Sequence, residues 1–144
     1  LSKNMYDEMT KRGNKTVRYK EYPGVKHNSW ENVSQEKTLA KWLLSQKKGM
    51  TSNAPAAPIE VTIQKLFNST ARLQWKNLPP AKDQHDDIWY HKIFRNKEMI
   101  AEVDGDVTEF NDYKYNSNSG HEYYVVSVNY FFRESEPSKI VKLE

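Results

Sequence analysis

The spacing of apolar residues changes period twice along these 144 residues. Leu1, Met5 and Met9 recur every fourth position, the stripe of one helix face, and Gly13 stands where a C′ glycine would end that helix. From 16 to 22 the period falls to two, with Val17, Tyr19 and Glu21 alternating with Arg18, Lys20 and Tyr22. The β-branched and aromatic content agrees, so a strand is predicted, stopped by Pro23-Gly24. A second helix is expected to open at Asn32 or Ser34, with Gln35 and Glu36 in its electropositive first turn. Leu39, Trp42 and Leu43 form its apolar stripe, and Lys47 and Lys48 suit its C-terminal end before Gly49.

Residues 49–58, GMTSNAPAAP, are small and uncharged and include Pro55 and Pro58, the composition of a short semi-stiff linker. It divides residues 1–48 from residues 59–144. Beyond it the pattern becomes many short alternating runs, at 59–64, 70–76, 88–95, 99–103, 108–111, 122–129 and 139–142. Turn residues separate them, and seven strands at this spacing predict an antiparallel β-sandwich. In the sixth run Tyr123, Val125 and Ser127 face one way and Tyr124, Val126 and Val128 the other. An apolar outer face, extended by Tyr130, Phe131 and Phe132, predicts that something covers this sheet, a neighbouring body or a second copy.

Composition narrows the class. Four Trp, nine Tyr and five Phe are enough to build a core, and no apolar run is long enough to expect a membrane span. The first residues, LSKNMYDEMTKR, carry neither an initiator Met nor a signal pattern, so the chain reads as a fragment of a longer one. With no cysteine, disulfides and thiolate metal sites are excluded. Residues 1–48 hold eleven Lys/Arg against five Asp/Glu, net +6, and residues 49–144 hold eleven against fourteen, net −3. Without a basic-aromatic array, no nucleic-acid partner is expected. No cofactor or metal is expected either: His85-Asp86-Asp87, with Asp83 nearby, reads as a solvated acidic loop, because no ligand repeat fixes a cation geometry. Asn32-Val33-Ser34 and Asn68-Ser69-Thr70 are formal glycosylation sequons, and His121 reads as structural.

The residue with catalytic potential is His27, on a loop between a predicted strand and helix. Imidazole can accept and return a proton near neutrality, as activation of a serine nucleophile requires. The stretch VRYKEYPGVKHNSW resembles the C-terminal catalytic-histidine segment of α/β-hydrolase esterases of the polyhydroxybutyrate-depolymerase, feruloyl-esterase and phospholipase/carboxylesterase kind. The matching positions are Tyr22-Pro23-Gly24, His27, Trp30 and Trp42-Leu43-Leu44. The resemblance implies a helix-strand-helix remnant of such a domain over 1–48, with His27 as the triad histidine and an ester as the parent's substrate. Trp30 is expected to pack rather than touch substrate. The five glycines give no Gly-x-Ser-x-Gly elbow, and Ser29 is no candidate nucleophile, so this chain alone is expected to be inactive.

Residues from Pro55 onward resemble a fibronectin type III domain. Trp75 stands at the core tryptophan of the second strand, and Ile93-Phe94-Arg95-Asn96 at the usual end of the third. Phe110 and Asp112 precede the sixth strand, where Tyr123 is the expected tyrosine corner, and Ser135-x-Pro137-Ser138 leads into the last strand. His91, where an aromatic is usual, and Tyr130-Phe131-Phe132-Arg133, where glycines are usual, depart from the pattern. The expected fold class is therefore mixed, a helix-strand-helix remnant followed by an all-β sandwich. The resemblances imply a serine esterase carrying a sandwich module, secreted, periplasmic or at the cell surface. The alternative is a non-catalytic interaction module for a carbohydrate, a cell surface or a subunit, associating through the hydrolase remnant or the apolar sheet face.

Overall fold

A computed structural model describes residues 2–14, 17–45, 52–67, 69–81, 86–115 and 120–143. The chain divides into two compact units, Leu1–Met50 and Thr51–Glu144.

In the first unit, α1 spans Ser2–Lys11 and ends at the glycine the sequence offers. Gly13 takes φ +80°, and its N–H donates to the Thr10 carbonyl while that of Asn14 donates to Met9. These two bonds are a Schellman closure, which satisfies carbonyls the helix end would otherwise leave open. Residues 17–22 form no strand, contrary to their alternation. Among the described residues of this unit there is no strand to pair with, and an unpaired strand gains no ladder. Tyr6 packs on Tyr19 instead, with ring centroids 5.9 Å apart.

The second helix also departs from expectation. It is split into α2, Trp30–Ser34, and α3, Lys37–Ser45, and it opens after Ser29 rather than at Asn32 or Ser34. The Gln35 and Glu36 N–H groups bond three residues back, to Asn32 and Val33, which tightens and ends the first piece. Glu36 is drawn aside, accepting from the Tyr22 hydroxyl at 3.0 Å and pairing with Lys20. The Lys20 ammonium beside it holds its carboxyl below the usual range. No described residue of this unit is buried. Within the apolar stripe of α3, Leu39 and Trp42 are only half-buried and Leu43 is 57% exposed, so the stripe has no core to enter. The helix-strand-helix remnant expected over 1–48 therefore finds no support: among the described residues there is no strand, and the helix is broken.

The second unit is a two-sheet sandwich, as the strand spacing predicts. Its strands are β1 Ile59–Phe67, β2 Thr70–Lys76, β3 Ile88–Arg95, β4 Glu98–Asp104, β5 Glu109–Asp112, β6 His121–Asn129 and β7 Val141–Leu143. One sheet runs β1-β2-β5 and the other β4-β3-β6-β7. All strand pairs are antiparallel. In β2 the alternation is complete, with Ala71, Leu73 and Trp75 buried between more exposed neighbours. Leu73 and Trp75 meet Val61, Ile93, Tyr123 and Val125 in the core between the sheets, and each such side chain contributes about 1.5–3 kcal/mol by burial.

Local chemistry fixes the connections. The β3–β4 hairpin turns on Asn96 and Lys97, both left-handed (φ +52° and +69°), as a two-residue turn matched to strand twist requires. Gly105 follows β4 at a close approach, where a Cβ would lie 2.5 Å from the Ile88 carbonyl oxygen. Before β7, the chain runs beside β6 without regular pairing. There the hydroxyls of Ser135 and Ser138 accept the N–H groups of Ser127 and Val125, standing in for carbonyls around Pro137.

The outer face of the β6 sheet is covered from within. Val126 and Val128 are 5% and 1% exposed, Phe94 stacks on Tyr124 with centroids 4.7 Å apart, and Lys92 lies opposite Val126. Its apolar pattern therefore does not by itself require a docked body. No helix among the described residues is long and apolar enough to cross a membrane.

Candidate functional site

His27 follows a turn that its sequence dictates. The Val25 N–H donates to the Tyr22 carbonyl at 3.1 Å, with Pro23 and a left-handed Gly24 (φ +77°) between them, the residue order of a type II turn. The imidazole is exposed and meets the edge of Trp30, with centroids 5.3 Å apart. Trp30 is itself 59% exposed, so it packs on His27 and on no core. Among the described residues no carboxylate orients His27, and its side chain has no hydrogen-bond partner. Ser29 precedes α2 and makes no side-chain capping bond. His27 is thus an exposed imidazole with neither a nucleophile nor a carboxylate beside it among the described residues.

The acidic motif is only partly described. Asp83 and His85 lie outside the described residues, as do Asn68 of the second sequon and Lys47 and Lys48. Asp86 is buried, and its Oδ2 accepts the Ala81 N–H at 3.1 Å. Asp86 is thus bonded to backbone, and among the described residues no three metal-ligating side chains cluster.

In the sandwich, three polar clusters were not legible as such. The first joins the two sheets. Asp112 on β5 accepts from the Tyr123 hydroxyl at 2.9 Å, from Arg95 Nη1 at 2.7 Å and from the Lys114 N–H at 2.9 Å. Tyr123 therefore closes on a carboxylate, where a tyrosine corner would reach a backbone carbonyl. Burial first, and then the Asp112 charge, push the Tyr123 phenol well up. For Arg95 partial burial works the other way, but the Asp112 carboxylate prevails and holds it firmly cationic.

The second cluster surrounds His91, fully enclosed on β3. Its Nε2 lies 3.3 Å from the Gly105 carbonyl and must donate there, so Nδ1 accepts from the Ser127 hydroxyl at 3.1 Å. The ring meets Trp75 edge-on at 5.4 Å. Burial pulls the His91 pKa down to about 4, opposed by the bond to Gly105. This is a serine–histidine pair, yet both residues are 0% exposed and no substrate can reach them. Its role is structural.

The third is Asn129, also fully buried. Its amide donates to Ser52 Oγ at 3.0 Å and to the Asn53 carbonyl at 2.7 Å, while its Oδ1 accepts the N–H groups of Phe131 and Arg133. It orders the glycine-free turn, in which Phe132 takes φ +58° and packs edge-on against Trp89. It also holds residues of linker-like composition against the sandwich, where Pro55 and Pro58 are buried. His121 has the structural role expected: its Nδ1 accepts from the Asn96 amide at 2.9 Å, and its ring lies against Tyr115.

The sandwich's own side chains fill the core between its sheets. Residues 98–112 contain six Asp/Glu and no Lys or Arg. They build β4 and β5, each the last strand of its sheet. The opposite edge strands, β1 and β7, meet one another, so β4 and β5 share the other margin.

No protein-family model matches the chain, and no curated protein matches it. Solved structures do. A fibronectin type III-like protein from Clostridium thermocellum is 20% identical with a TM-score of 0.52, over 64% of this chain and 94% of that one. A stretch of titin domains is 16% identical with a TM-score of 0.53, over 64% of this chain and 32% of that one. The spore cortex lytic enzyme SleM of Clostridium perfringens is 14% identical with a TM-score of 0.52, over 62% of this chain and 28% of that one. The chain thus spans about a third or less of the titin and SleM chains. At such identities the likeness concerns fold alone: the sandwich has the fibronectin type III fold. The likeness gives residues 1–48 no support as part of an α/β-hydrolase.

Proposed function

We propose that the chain works through its sandwich as a non-catalytic interaction module, holding what is attached to it against a carbohydrate, a surface or a partner polypeptide. The observation that carries this reading is the disposition of polar chemistry. The polar groups buried at His91, Asp112 and Asn129 are bonded to neighbouring side chains and backbone, while Glu98, Glu102, Asp104, Asp106 and Glu109 along β4 and β5 stay exposed. Such a body recognises by edges and faces. The test is a titration of isotope-labelled full chain with soluble polysaccharides and with basic, neutral and acidic peptides. At least one class is expected to shift amides of the sandwich. If none of these classes moves a sandwich amide, the reading is wrong.

A second reading keeps residues 1–48 as the closing segment of a serine hydrolase, with His27 as general base toward a nucleophile supplied from elsewhere. The presented imidazole after the Pro23-Gly24 turn is what favours it. Under this reading the isolated chain is inactive, and an ester-cleaving parent loses turnover by several orders of magnitude on His27→Ala. Undiminished turnover removes the assignment.

A further inference from the structure

We infer that β4 is a strand-addition edge for an extended, basic polypeptide segment, which gives the interaction-module reading its partner chemistry and rests on that reading. Two features of different origin meet here. The first is topological: β4 pairs with β3 alone and ends its sheet. The outward backbone N–H and C=O groups of an edge strand form a ready template for one more strand. Of its seven residues (Glu98–Asp104), Ile100 is bulged out of the register with β3, and Ala101–Asp104 beyond it form the regular stretch on which an added segment would pair.

The second feature is charge. Glu98, Glu102 and Asp104 are exposed along β4, with Asp106 just beyond it. Glu98, Asp104 and Asp106 form no ion pair among the described residues. Glu102 lies opposite Lys92, and Glu109 on the neighbouring β5 reaches Arg72 at 3.7 Å. The inward residues Ala101 and Val103 are already packed on the core, so this strand presents outward its backbone and the carboxylates of Glu98 and Asp104.

These charges also choose the occupant. Two β4 edges brought together would oppose carboxylate to carboxylate, which disfavours a second copy pairing edge to edge. A segment with Lys or Arg on alternate residues brings its cations beside the exposed carboxylates of Glu98, Asp104 and Asp106 and presents its own backbone to the edge. The backbone ladder supplies affinity, and the alternate charges supply selection.

The experiment uses labelled full chain and an about ten-residue peptide of alternating Lys and Val. The amides of β4 are expected to shift and to gain exchange protection, and binding should weaken as salt is raised. Replacing Glu98, Glu102 and Asp104 together by Lys is expected to weaken binding by about tenfold or more. A melt and an amide spectrum check that this variant folds. If it does not, an alternating Glu-Val peptide on the unaltered chain takes its place and is expected not to bind. A peptide of the same charge with Pro replacing Val separates strand addition from simple attraction, because Pro cannot donate to a ladder. Equal binding of the Pro peptide, or no response of β4 to the Lys-Val peptide, overturns the inference. If another ligand class still shifts the sandwich, the interaction-module reading survives. Silence from every class removes both.

Discussion

Ile93 and Leu44 are both large aliphatic residues, and they meet opposite fates. Ile93 is fully enclosed between two sheets, whereas Leu44 is 75% exposed on α3. The same contrast holds for Trp75, 3% exposed, and Trp30, 59% exposed. In the sandwich, alternation along each strand finds a facing sheet, so a pattern becomes a core. In residues 2–45 the periodic stripes are as regular, yet there is no second layer among the described residues. Apolar periodicity states what a segment would bury; only a partner layer makes it bury anything.

The strongest way to break this contrast is to open the sandwich where its sheets are tied. Asp112→Ala leaves Arg95 and Tyr123 without their acceptor at a nearly closed site. It should cost about 3 kcal/mol, read as a lower urea midpoint with unchanged slope. A loss below about 0.5 kcal/mol would show that the Asp112 cluster closes nothing.

The His91 pair gives an effect of similar size that depends on pH. Its folded pKa, about 4, lies below the ordinary 6.5. Between these values the unfolded chain binds a proton that the folded chain refuses. The stability present above pH 6.5 is therefore lost as pH falls toward 4, and below that His91 adds no further loss. Two and a half units amount to about 3 kcal/mol. His91→Phe should flatten this part of the stability–pH curve; an unchanged slope would assign the acid sensitivity to other groups.

Asn129→Ala removes four hydrogen bonds at once and is expected to cost about 2–3 kcal/mol, while loosening residues 52–58. Smallest is the effect in the first unit. Trp30→Ala and Leu44→Ala should each change the unfolding free energy by less than about 0.5 kcal/mol, as exposed positions do. A larger loss would mean that these side chains are covered in solution.

The same contrast explains what was legible beforehand. All seven strands lie close to where alternation and turn residues put them, because each pattern had a facing sheet to act on. Gly13 ends α1 as foreseen, since a Schellman closure is local. The strand at 17–22 failed because pairing is not local. The single helix failed because Glu36 has Lys20 and Tyr22 as competing partners, which no spacing announces. The clusters at Asp112 and Asn129 were partly hidden for a similar reason. Tyr123 and Asp112 each drew notice, but that one bonds the other across two sheets depends on the register. For His91, the only sign was an imidazole where an aromatic was expected. The run of carboxylates over 98–112 is countable in the sequence, though that five of them lie exposed along an edge while Asp112 turns inward follows only from the strand order and register.

Hydrogen exchange at neutral pH, resolved by residue on the full chain, tests the central contrast directly. Amides of β2, β3 and β6 should exchange only through global opening, while those of residues 17–45 should exchange close to the rate of an unprotected chain. Protection of residues 17–45 equal to that of the sandwich strands would contradict the account, because it would require a core there that the sandwich alone is held to possess.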